Sequence, residues 1–132
     1  MDVITIQTRE REQYVEITEE IRKIIKNKKL DKGIVFLYVP HTTCGITVNE
    51  SYDPSVAQDI IHMLHLVAPP KGPYKHTEGN ADAHIKTTIT GSTLFLFVDN
   101  GDLVLGKWQG VFLAEYDGPR TRKIYLKFFK EV

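Results

Sequence analysis

From Gly91 onward the chain turns to β structure, and one dipeptide there restricts the fold more than any other feature. Asn100-Gly101 lies between two apolar runs, STLFLFV (Ser92 to Val98) and Leu103 to Leu105. Asn and Gly tolerate the positive φ that a two-residue hairpin loop needs, so these runs should pair antiparallel. Val111 to Tyr116 and Arg122 to Phe129 follow as strands joined by Asp117-Gly118-Pro119. Runs of strands with few long helices point to an α+β fold, an antiparallel β-sandwich-like sheet with two main helices and one short helix on one side.

The first half fits that frame. Val3 to Thr8 and Gln13 to Ile17 read as short strands rich in β-branched residues. Thr18 is placed to cap a helix, with Glu19 and Glu20 in the first turn, where the helix dipole favours acids. Ile21, Ile24, Ile25, Lys28 and Leu30 recur at helical spacing, and Asp31-Lys32-Gly33 should stop the helix. IVFLYV (Ile34 to Val39) is apolar at every position, the pattern of a strand buried on both faces, and Pro40 ends it. CGITV (Cys44 to Val48) resumes the sheet. Asp53-Pro54 starts a second helix, with Val56, Ile60, Met63, Leu64 and Val67 as its buried face.

Composition narrows the function classes. Seventeen basic side chains balance seventeen acidic ones, so no global field draws the chain to nucleic acid. At 132 residues it is expected to form one domain. Its single cysteine, Cys44, excludes an intrachain disulfide and fits a reducing compartment. The start, MDVITIQT, lacks a signal-peptide pattern, and no apolar stretch is long enough to cross a bilayer. A cytoplasmic protein without nucleic-acid or membrane partners is expected.

Three clusters carry ligand-type side chains. His41-Thr42-Thr43-Cys44, running to Asn49-Glu50, sits where an apolar strand emerges at a proline corner. His41 and Cys44 suit a metal or a Cys–His pair, although a cysteine beside glycine on a strand is more often a small core residue. The second cluster is PYKHTEGNADAHIKTTIT (Pro73 to Thr90). In an extended segment His76 and Glu78 point the same way. Gly79-Asn80 then opens a short helix with Ala81, Ile85 and Ile89 as its packed edge, or, given three β-branched threonines, a strand with Ile85, Thr87 and Ile89 on one face. The free N–H groups of such a helix start, beside His84 and Lys86, suit a phosphate or a carboxylate. The third cluster is Gly106-Lys107-Trp108-Gln109-Gly110, Glu115 and Asp117 to Arg122. Trp108 suits a stacking platform with Gln109 reading a ring edge, or equally a core or interface aromatic. Arg120 and Arg122 alternate, and could fork a phosphate or blunt a sheet edge.

HTTCGITVNE with DPSV, then HTEGNADAHIK, then NGDLVLGKWQGVFLAEYDGPRTR together resemble the signature blocks of the YjbQ family, described as secondary thiamine-phosphate synthase enzymes. The resemblance runs over nearly the whole chain, with Lys107 standing where the GTWQG form has threonine. It implies a compact sandwich assembled as a homotrimer, with clefts between subunits, acting on a small phosphorylated substrate. An aminopyrimidine methyl diphosphate would be coupled to a thiazole phosphate with loss of diphosphate, as a secondary activity. On that reading His84, His76 and Glu50 are catalytic. Thr42, Thr43, Glu78, Gly79, Asn80, Lys86, Trp108, Gln109, Arg120 and Arg122 bind substrate. His41, His76 and His84 are the residues to test for a divalent metal, Mg or Zn. Two other readings stay open: a divalent-metal hydrolase of a phosphate or small ester, and a non-catalytic trimeric metabolite-binding protein.

Overall fold

A computed structural model describes residues 1–132. The chain forms β1 (Asp2–Gln7), β2 (Gln13–Glu16), α1 (Thr18–Lys28), β3 (Gly33–Tyr38), β4 (Cys44–Glu50), α2 (Pro54–Val67), α3 (Ala81–Thr90), β5 (Thr93–Asp99), β6 (Asp102–Leu103), β7 (Gln109–Glu115) and β8 (Thr121–Lys130). Two wholly antiparallel sheets result, one of five strands in the order β1-β8-β3-β5-β6 and one of three in the order β2-β7-β4. The expected α+β sandwich is the fold observed.

The two sheets share one core. Ile4, Val35, Leu37, Val98, Ile124 and Leu126 of the larger sheet meet Ile46, Val111 and Leu113 of the smaller, and α1 adds Ile21 and Ile25. Asn100 and Gly101 adopt φ of 50° and 73°, which joins β5 to β6 by the two-residue loop the sequence called for. α2 also starts as read: the Asp53 carboxylate accepts from Ser55 N–H at 2.9 Å and Pro54 takes the first turn.

Several local expectations fail, each for a tertiary reason. Ile17 occupies the cap of α1, because the Thr18 hydroxyl instead donates to Glu16 and accepts from Val111 N–H. Lys29 in the left-handed conformation, not Gly33, ends that helix; Gly33 already belongs to β3. No residue of α2 is fully buried, and Met63 and Val67 lie exposed. On α3 Ala81 is buried as read, but its buried neighbours are Asp82, Ala83, Lys86 and Thr87, while Ile85 and Ile89 face outward.

The largest departure concerns the apolar strands. Phe36 and Tyr38 of β3 and Phe95 and Phe97 of β5 are about half exposed, so neither strand is covered on both faces. The doubly covered strand is β7, where Val111 through Glu115 are all buried. The reason is topological. α3 packs Ala83 against Ala114 and Tyr116 on the outside of the three-stranded sheet, and nothing in the chain covers the outside of the other.

Candidate functional site

The segment after α2 leads into α3 through Gly79, whose φ of 81° only glycine adopts without strain. The short turn brings His76 back over the first turns of α3. There its ring meets His84 edge to face, with centroids 5.1 Å apart. Tyr74, Lys75, His76, Ala81, His84 and Ile85 line one open cavity of about 320 Å³. Two histidines and a lysine contribute, and no acid lines it, so the cavity suits an anion. Glu78 stands outside the lining, its carboxylate 3.8 Å from His76 Nε2.

The opposite side of α3 uses the same residue types to a different end. Lys86, without solvent exposure, donates to Glu12 at 2.5 Å and Asp82 at 2.8 Å, and its ammonium lies 3.1 Å from His65 Nδ1. Arg11 adds a bidentate pair to Asp82 at 2.9 and 3.2 Å. Burial alone would raise the Asp82 carboxyl; hydrogen bonds and charge from Arg11 and Lys86 outweigh it and hold it below the ordinary carboxylate range. The three ammonium donors of Lys86 already face partners, so the diphosphate contact expected of it is not available in this arrangement.

Asn80 sits at the cap position of α3, but its side chain makes no cap bond and donates to Asp117 at 2.8 Å. Asp117 also receives Arg120, which is exposed and hydrogen-bonds the Asp117 carbonyl as well. Arg122 is buried: it pairs with Glu115 through two bonds and reaches Thr43 Oγ1 at 2.8 Å. Glu115 is satisfied further by Thr8 Oγ1 and Asp117 N–H. Arg120 and Arg122 therefore do not fork one anion. One clamps a turn, and the other ties β7 and β8 to the corner that holds Thr43.

At that corner His41 accepts a hydrogen bond from Lys123 N–H on Nε2 at 2.9 Å, and Thr42 is exposed. Burial, then Arg122 and Lys123, press the His41 imidazole below its ordinary value, with Glu115 opposing. Cys44 is fully buried and burial pushes its thiol up to about 12, the inert core role the sequence favoured over a reactive one. Within a chain no contact joins His41 to the His76–His84 pair, and no group of three His, Cys, Asp or Glu side chains has the geometry to hold a metal. The expected metal triad of His41, His76 and His84 therefore does not assemble within the chain.

Glu50 is likewise separate from the histidines. It lines a different cleft, of about 270 Å³, with Glu10, Glu12, Tyr14 and Pro54, and accepts from Tyr52 N–H. Trp108, half exposed, packs edge to face on exposed Tyr52 at 4.9 Å, with Lys107 over its ring. Gln109, exposed at the start of β7, folds back on the preceding loop, accepting from Gly106 N–H. Sequence reasoning missed Arg11, Glu12, His65 and Lys75. The first three carried no local signal, since partners up to 74 residues away define them; Lys75 could have been read from its place beside His76.

The fold and these clusters define a small antiparallel sandwich with a basic, histidine-lined cavity at a helix start. Residues 2–131 match the family described as UPF0047 protein YjbQ-like, and the chain belongs to that family. It is 48% identical to UPF0047 protein MJ1081 of Methanocaldococcus jannaschii, over 92% of this chain and 88% of that protein. With UPF0047 protein YugU of Bacillus subtilis it shares 38% identity, over 96% and 97% respectively. Among solved structures, an uncharacterized conserved YjbQ/UPF0047-family protein from Clostridium acetobutylicum superposes with a TM-score of 0.95 at 40% identity, covering 98% of this chain and all of that one.

Proposed function

We propose that the protein is a transferase of the thiamine-phosphate synthase type, coupling an aminopyrimidine methyl diphosphate to a thiazole phosphate as a secondary activity. The observation that supports it most is the acid-free cavity of Lys75, His76 and His84, which suits a diphosphate. In this reaction the methylene C–O bond breaks and its electron pair leaves with diphosphate. The thiazole nitrogen forms the new C–N bond and becomes cationic. Stabilising the departing charge matters more than a nucleophile, so preorganised cations and hydrogen-bond donors are the machinery required. Lys75 would hold the diphosphate, His84 or His76 would donate a proton to it, and Trp108 would stack on the pyrimidine.

Trp108 and the histidine cavity lie in separate parts of the subunit, so the reading includes an assembly in which neighbouring copies complete one site. We place its contacts on the bare aromatic face of the five-stranded sheet, where Phe36, Phe95, Phe97 and Phe129 cluster at centroid distances of 5.7–5.9 Å. A homotrimer is the state proposed. The test is diphosphate release from the two synthetic substrates, with thiamine phosphate identified chromatographically. A protein that forms no thiamine phosphate would refute the reading. The metal-hydrolase alternative requires His41 to leave Lys123 N–H; stoichiometric zinc in untagged protein, with chelator-sensitive ester hydrolysis, would put it in place of the synthase.

A further inference from the structure

The Pro-His-Thr-Thr corner holds a side chain whose proton position the backbone dictates. We infer that His41 is a hydrogen-bond donor of fixed tautomer that holds a phosphate oxygen of the substrate, rather than a base or a metal ligand. The inference rests on the reading that the substrates are phosphorylated. Two phosphorylated substrates need two anion seats, and the His76–His84 cavity supplies one.

Lys123 N–H donates to His41 Nε2 at 2.9 Å. An imidazole nitrogen that accepts carries no proton, so the single proton of the neutral ring sits on Nδ1. Nδ1 has no protein partner and is not among the buried side-chain atoms left unpaired, which are Asn80 Oδ1 and Thr87 Oγ1. Its N–H therefore opens to solvent. A metal at Nδ1 would have to displace that proton, and a base at Nε2 would have to break the bond to β8.

The corner is rigid as well as oriented. Arg122 Nη2 donates to Thr43 Oγ1 at 2.8 Å, and Tyr116 N–H donates to the Thr43 carbonyl at 3.2 Å. Between these anchored neighbours, exposed Thr42 offers a second hydroxyl donor. The charged groups acting on the ring are Arg122, Lys123 and Glu115, and the Glu115 carboxylate is already occupied by Arg122 and Thr8. The lowered imidazole pKa that results agrees with a ring that stays neutral and donates without giving up its proton. A fixed donor in a net positive surround is complementary to a phosphate oxygen.

The test uses the full-length protein and long-range 1H–15N correlation of the histidine rings, with inorganic phosphate and pyrophosphate as probes. The expected result is the Nδ1–H tautomer of His41 from pH 8 to below the ordinary histidine range, with its ring resonances moving on addition of either anion. His41→Gln can still accept from Lys123 N–H but carries its amide N–H groups further out than the Nδ1 position, and should weaken anion binding about tenfold or more. His41→Asn keeps an amide N–H near the Nδ1 position and should stay within about threefold of the parent. A proton on Nε2, ordinary titration, rings indifferent to both anions, or a Gln variant that binds like the parent would each overturn the inference. Should either variant fail to fold, the ring spectrum of the parent protein decides. Absence of thiamine phosphate formation would refute the synthase reading alone, because the tautomer and the anion response are read without turnover.

Discussion

The outer faces of the two sheets have opposite fates. The three-stranded sheet is covered by α2 and α3, where Lys86 and Asp82 of α3 meet Glu12 and Arg11 from the β1–β2 connection, ionised side chains with nearly every donor and acceptor matched. The five-stranded sheet presents Phe36, Tyr38, Phe95, Phe97 and Phe129 to solvent. Charge therefore does not mark the outside of this molecule, nor aromatic character the inside. What decides is whether a group's partners are supplied within the chain. Lys86 finds three; Phe97 stays half exposed.

Unbalancing the covered face should have the largest effect. Lys86→Met leaves Asp82 and Glu12 buried with Arg11 as their remaining cation, and should cost about 3–5 kcal/mol, read by urea unfolding. A loss within experimental error would mean the cluster is decorative. The same variant should make stability fall at higher pH than in the parent. Asp82 owes its lowered carboxyl to Arg11 and Lys86, so its contribution is present above the unfolded carboxylate value and is lost as pH falls through the native one.

On the bare face, Phe97→Glu should leave the monomer folded yet weaken assembly by several kcal/mol, because a carboxylate would have to be desolvated in the contact. Sedimentation would then report monomers, against the homotrimer proposed for the parent. An unchanged trimer would move the interface elsewhere, with the outward Met63 and Leu66 of α2 next in line.

His84→Ala separates site from scaffold on α3 itself. It should lower turnover about a hundredfold, the scale of a lost general acid, with a melting temperature close to the parent's because the ring packs only at an open cavity. Unaltered turnover would remove His84 from the mechanism.

The smallest effect belongs to His41. Its native pKa is depressed, so below about pH 6.5 the unfolded chain takes up a proton before the folded one does. Stability should decline as pH drops from there and level off once the native ring titrates. His41→Gln should flatten that part of the pH–stability curve and leave the region above pH 7 as it was.

Much of the fold could be read locally. Asn100-Gly101, Asp53-Pro54 and the β-branched runs each carry their conformation in two to seven residues, and each formed where expected. The site was less legible. His76 and His84 were identifiable as partners because one glycine turn separates them along the chain. The roles of Lys86 and Arg122 were not, since Glu12 lies 74 residues from Lys86 and Thr43 lies 79 from Arg122. A lysine awaiting phosphate and a lysine neutralised by two carboxylates look the same in one dimension.

The sequence by itself determined the α+β class, the hairpin register and the family, since these rest on steric preferences of short segments and on motifs kept in order. Tertiary structure decided which apolar strand is covered twice, which charges are spent on one another, and on which ring nitrogen His41 carries its proton. Each of those outcomes depends on a neighbour that chain order does not specify. Apolar burial and hydrogen-bond saturation are properties of surroundings, so the same VFLAEY and IVFLYV patterns end as an enclosed strand in one sheet and a half-exposed one in the other.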